Sequence, residues 1–198
     1  MPLGTHKATL FGVAGVSTGA DVVLLHDTDY SDVASASITS GIDSTYGEYI
    51  FKFYNINPAT DNVQFSFQVN ATDGADYNDS AITSTFFTAW HNENDSNQAL
   101  GYTAASDQAE GAAFQTLFYS LGNGSDESAA GELHIFNPSS TTYVKHFYSR
   151  IFGMGDSPMA EDAFAAGYIN DTTAIDDIQF KMSSGNFDGT IKMWGVKN

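Results

Sequence analysis

The chain has 198 residues, 42% of them hydrophobic and 14% aromatic, which is ample for one packed core and too apolar for a disordered chain. With 24 acids against 7 bases its formal charge is −17, which opposes binding to nucleic-acid phosphates and to anionic membrane surfaces. It has no cysteine, hence no disulfide framework and no thiolate metal site, and no apolar run long enough to cross a bilayer as a helix, so no membrane insertion is expected.

The first twenty residues, MPLGTHKATLFGVAGVSTGA, read as an arm or a first strand at ATLFGV (8–13). Gly12 and Gly15 interrupt the apolar run, and Pro2 and Gly4 precede its one lysine, which argues against a signal peptide. Residues 21–198 then read as one β-sandwich domain. Strand-like segments follow at DVVLL (21–25), ASASIT (34–39), EYIFKFYNI (48–56) and VQFSFQV (63–69), the last with Val63, Phe65, Phe67 and Val69 on one face. STFFTAW (84–90), AFQTLFYSL (113–121), GELHIF (131–136), TYVKHFYSRIF (142–152) and FAAGYIN (164–170) continue the series.

Helix signals are few. SDQAEGAAF (106–114) is interrupted by Gly111, and SPMAEDAFAA (157–166) predicts one or two turns with Ser157 as cap and Pro158 at the first helical position. NATDGADYNDS (70–80) and WHNENDSNQALG (90–101) are expected to be long, exposed acidic loops. The chain closes on IDDIQFKM and TIKMWGV around SSGNFDG, which reads as a β-hairpin; Ile178, Phe180 and Met182 share one face of its first arm, and Ile191 and Met193 one face of its second. Many short strands between Asn-, Asp-, Gly- and Ser-rich turns make the fold all-β with little helix, an antiparallel sandwich or barrel.

Most acids fall in turn-like stretches: Asp27, Asp29 and Asp32; Asp73, Asp76 and Asp79; Glu93 and Asp95; Asp126 and Glu127; Glu161 and Asp162. Five of the seven bases, Lys52, Lys145, Arg150, Lys181 and Lys192, lie in strand-like segments instead. A solvated acidic surface is the simplest account of this pattern.

Motifs with chemistry are scarce. Gly15-Val16-Ser17-Thr18-Gly19 matches G-x-S-x-G, but a strand candidate follows it where a nucleophile elbow needs a helix. No pair among His6, His26, His91, His134 and His146 has helical metal-motif spacing; His134 and His146 sit in alternating strands, where packed or hydrogen-bonded roles are expected over a metal pair. Asp73, Asp76, Asn78 and Asp79, or Asn92, Glu93, Asn94 and Asp95, offer hard oxygen ligands without the EF-hand pattern, so weak divalent-cation binding is the most expected of them; no metal site and no cofactor is assigned. No residue is assigned a catalytic role, although abundant acids leave open a glycosidase-like carboxylate pair. Asn-x-Ser/Thr triplets are ascribed to composition.

Among the aromatics, Tyr49, Tyr143, Tyr148 and Trp194 are read as strand residues packed in the core. Trp90 and Tyr102 flank a polar loop and are the candidate ligand-binding residues, able to stack on a sugar ring.

The segments GIDSTYGEYIFKFYNINPATDNVQFSFQVN (41–70), GELHIFNPSSTTYVKHFYSR (131–150) and AFAAGYINDTTAIDDIQFKMSSGNFDGTIKMWGVK (163–197) resemble a family of virion structural proteins of marine tailed phages. The tail, SSGN, a short spacer, GTIK, an aromatic, Gly and an aliphatic residue, resembles that family's C-terminal signature. The resemblance spans roughly residues 20–198. It implies a jelly-roll-like β-sandwich without catalytic residues, located in the virion as a tail fibre, appendage or head decoration. Its expected partners are copies of itself, in a homotrimer, and other virion proteins, with a host surface glycan as a further one. The N-terminal arm is expected to dock on a neighbouring subunit by strand addition. Two other readings are a carbohydrate- or receptor-binding module using loop aromatics, and a glycan-degrading enzyme using two acids.

Overall fold

The computed structural model describes residues 21–74, 76–78 and 80–197. The N-terminal arm with its strand 8–13, the G-x-S-x-G pentapeptide, His6 and Asp79 lie outside these residues.

Twelve strands follow one another with no helix among the described residues: β1 (Val22–Val33), β2 (Ser35–Ile38), β3 (Glu48–Pro58), β4 (Val63–Ala71), β5 (Ile82–Asn92), β6 (Gln98–Tyr102), β7 (Gln115–Leu121), β8 (Ala129–Phe136), β9 (Lys145–Met154), β10 (Met159–Ile169), β11 (Ile175–Met182) and β12 (Phe187–Val196). They form an eight-stranded sheet, β1-β12-β3-β8-β9-β10-β5-β6, and a four-stranded sheet, β2-β11-β4-β7, all antiparallel. The order β1-β12-β3-β8 facing β2-β11-β4-β7 is that of a jelly roll, in which the chain crosses between the sheets at every step from β1 to β4. The β5–β6 and β9–β10 hairpins are insertions into that frame. Both join the larger sheet beyond β8 and extend it as a wing.

Alternation explains the core. Tyr49, Phe51 and Phe53 of β3 point inward from the large sheet; Phe65, Phe67 and Val69 of β4 and Ile178 and Phe180 of β11 point inward from the small one. Their rings meet in the middle: Phe53 lies 5.2 Å from Phe65 and 5.1 Å from Phe180, and Phe67 lies 5.2 Å from Phe147, all near edge-to-face.

Four expectations are corrected. The two closing arms are strands, with the faces expected, but they do not pair. β11 belongs to the small sheet between β2 and β4, and β12 to the large sheet between β1 and β3, so SSGN is a crossing between sheets. The segment 157–166 is not helical. Glu161, Ala163 and Ala165 face inward and Asp162, Phe164 and Ala166 outward in β10, whose full-length pairing with β9 and β5 overrides local helix propensity. The loop expected at 90–101 is a tight turn leading into β6. Finally, Asp27, Asp29 and Asp32 lie in β1, and Glu161 and Asp162 in β10, not in turns; on β1 the acids pair across the sheet with Lys192 and Thr190.

A candidate interaction surface on the large sheet

The outer face of the eight-stranded sheet is the most unusual surface of the described residues. Val22, Leu24, Tyr54, Phe87, Leu100, Tyr102, Tyr148 and Phe152 are large, apolar and exposed, and strand register places all of them on this face. Large exposed apolar residues gathered on one face are what interaction surfaces are built from. The outward residues of the small sheet are Ser35, Ser37, Gln64, Gln179 and Lys181, which are polar.

The central row of the large face takes one residue from every strand. Starting at β1 it runs Asp27, Lys192, Lys52 and Glu132, and continues with Arg150, Phe164, Phe87 and Tyr102 at β6. Its first half is charged and internally neutralised. Lys192 Nζ donates to Asp27 Oδ2 at 2.9 Å, and Lys52 Nζ pairs with Glu132 Oε2 at 3.4 Å. The second half is aromatic. The Arg150 guanidinium sits over the Phe164 ring at 5.2 Å while both its Nε and its terminal nitrogen donate to Asp162, and Phe164 stacks on Phe87 at 4.7 Å with planes 7° apart. Tyr102 ends the row, its hydroxyl donating to Asp107, which raises its pKa.

The next row holds His134, which is only 7% exposed although its strand position faces outward. Its Nδ1 donates to Glu48 at 2.6 Å, and its ring stacks on Tyr148 at 4.4 Å. His146 pairs across the sheet with Phe136, so the two histidines expected in alternating strands are diagonal neighbours with separate surroundings. Among the described residues no three His, Asp or Glu side chains are grouped to hold a metal ion.

The two residues expected to bind a ligand together, Trp90 and Tyr102, are on opposite faces. Tyr102 pairs with Phe87 on the outer face and is 58% exposed. Trp90 pairs with Ala99 and Glu161 on the inner face, half-buried, its ring lying over Gly101. The alternation of β5 sends successive residues to opposite sides, which separates the pair. Three further expectations of core packing also fail, for Tyr148, Tyr143 and Trp194. Tyr148 is 42% exposed on the outer face, and Tyr143 is 73% exposed in the β8–β9 connection, whereas Tyr49 is fully buried as expected. Trp194 lies on the outer face of β12, partly covered.

The reason is visible in β9. Its inward residues are Lys145, Phe147, Ser149 and Ile151, its outward ones His146, Tyr148, Arg150 and Phe152, so both faces carry comparable apolar content. Lys145 faces in because its Nζ donates to the backbone oxygens of Asp171 and Thr173.

Comparison of the chain with protein-family models, with curated proteins and with solved structures returned no match.

Proposed function

We propose that this protein is a non-enzymatic structural component of a tailed-phage particle, displayed on the virion as a tail fibre, an appendage or a head decoration, and that its copies meet through the outer face of the large sheet. The observation that carries this reading is that face, whose aromatic half and neutralised charged half form an interface-like surface on a chain of charge −17. The sequence resemblance over roughly residues 20–198 supplies the particle.

Charge selects the face. Self-repulsion opposes contact between copies of so acidic a chain over most of its surface. On the large sheet, Lys52, Arg150 and Lys192 offset Asp27, Glu132 and Asp162, and His134 holds Glu48. Its size suffices: eight strands at about 4.8 Å spacing and roughly 30 Å of strand give on the order of 1,000 Å², against about 800 Å² per partner in a standard interface. Where one half meets the other half of the next copy, the contact is either two-fold or head-to-tail, and a head-to-tail contact makes a ring when its rotation closes; the homotrimer that the resemblance implies is such a ring.

Copy number tests the reading. Quantitative mass spectrometry of purified particles against the major capsid protein is expected to give a fixed ratio, on the order of hundreds of copies for a decoration or a few to a few dozen for a tail part. Absence from washed particles overturns it.

A further inference from the structure

At the end of the large sheet where β8 turns into β9, bordering the outer face through Phe136 and His146, the structure has a cleft of about 540 Å³. Tyr46, Phe136 and Tyr143 give it aromatic surface; Asn137, Ser140 and His146 give it polar groups. We propose that this cleft binds a neutral saccharide, with Tyr143 as the stacking platform.

Chemistry narrows the ligand. Among the described residues no carboxylate, amine or guanidinium lines the cleft, although the chain as a whole is strongly acidic. Without an amine or guanidinium it lacks the strong donors that recognise a phosphate or sulfate, and without a carboxylate it lacks the ligands that hold a hard cation. What remains is a ligand with one apolar face and many hydroxyls. A pyranose ring presents C–H bonds to the electron-rich face of a tyrosine, and its hydroxyls both donate and accept, matching amide, hydroxyl and imidazole groups. The volume lies within the range of small-molecule sites. An extended peptide would call for a free sheet edge, and both strands bordering the cleft, β8 and β9, are interior.

Both walls are built before any ligand arrives. On one side Asn137 N donates to Gly47 O at 2.7 Å and Ile175 N to Pro138 O at 3.0 Å, which anchors the start of the connection. Ser140 Oγ then accepts from Tyr143 N at 3.0 Å, so the turn that presents Tyr143 is held although the ring itself is 73% exposed. On the other side Tyr49 Oη bonds the backbone N–H and oxygen of Asp43 at 2.8 and 2.9 Å and meets Tyr46 edge-on at 5.9 Å. Tyr46 lies so close over Gly195 that a Cβ there would fall 2.4 Å from its ring, and only glycine permits that approach. Because the backbone that presents Tyr143 is already held, binding has little chain left to order.

The test uses the full chain against short neutral oligosaccharides of glucose, galactose, mannose, rhamnose and N-acetylglucosamine, with a proline-rich peptide as a competing probe, read by saturation-transfer NMR and calorimetry. At least one saccharide is expected to bind with Kd of about 0.1–10 mM. Tyr143→Ala is expected to weaken that binding about tenfold or more with an unchanged melting temperature, since the residue is 73% exposed. Tyr102→Ala, at the far edge of the sheet, is expected to leave it intact. The proposal is overturned if no saccharide binds at about 20 mM, if Tyr143→Ala binds as the wild type does, or if the peptide alone binds.

Discussion

The imidazole of His134 and the ring of Tyr148 lie face to face across the β8–β9 pair, centroids 4.4 Å apart and planes within 13°. Glu48 accepts from Nδ1 at 2.6 Å, and Phe136 flanks the same imidazole at 6.4 Å. A residue on an outward strand position is thereby withdrawn from water, and three neighbouring strands are joined at one point.

His134→Ala removes the stack and leaves Glu48 without its donor. It is expected to lower the unfolding free energy by about 2 kcal/mol, measured by urea denaturation. Tyr148→Phe, which keeps the ring, is expected to stay close to the wild type.

Glu161 adds a pH slope of its own to the stability curve. It is 3% exposed on the inner face of β10, with Oε2 accepting from Ser120 Oγ at 2.8 Å and Oε1 without a partner. Burial outweighs that hydrogen bond and pushes its pKa up to about 7 from the ordinary 4.5. The folded chain therefore holds this proton more tightly than the unfolded one. The contribution is fully present below pH 4.5 and is lost as pH rises through 7, a change of about 3 kcal/mol. Glu161→Gln is expected to flatten this part of the curve and to raise the melting temperature above pH 7; an unchanged slope contradicts the assignment.

Lys145 is fully buried and its Nζ donates to Asp171 O at 2.9 Å and to Thr173 O, tying the β10–β11 connection to the sheet. Lys145→Met fits a similar volume but orphans both carbonyls. A loss on the order of 3 kcal/mol is expected in denaturant unfolding.

The assembly face predicts a change of mass without a change of fold. Phe152→Glu and Phe87→Glu place new charge beside groups already neutralised, at positions 52% and 39% exposed. Light scattering after size exclusion is expected to show an oligomer for the wild type and a monomer for each variant, with unchanged circular dichroism. A wild type that stays monomeric at high concentration removes this face from the proposal.

Strand identity was largely legible in the sequence because alternation is local: the inward sets Val63, Phe65, Phe67, Val69 and Ile178, Phe180, Met182 follow from period two alone. Strand partnership was not. IDDIQFKM and TIKMWGV have the same pattern whether they pair with each other or part to different sheets, and only long-range register decides. The segment 157–166 misleads for a similar reason, since Ser157, Pro158 and the following acids are real local helix signals that two flanking strands outvote. The candidate site was legible only as a list of aromatics. In β9, where Tyr148 and Phe152 face out and Lys145 and Ser149 face in, residue type does not reveal the side. The short run that carries Tyr143 reads as the start of a strand that begins at Lys145.

The pairing of β1 with β12, from Val22 opposite Val196 to Val33 opposite Phe187, joins the first and last described strands. That ladder can form only after every strand from β1 to β12 has left the ribosome, and until then β3 lacks its neighbour β12 and displays an open edge. Synthesis of this protein is thus a race between release and misassociation. Contacts this distant along the chain set refolding in roughly the millisecond-to-second range. Products that stop short of β12 enter that race with no finish and are the species that chaperones and proteases would have to clear.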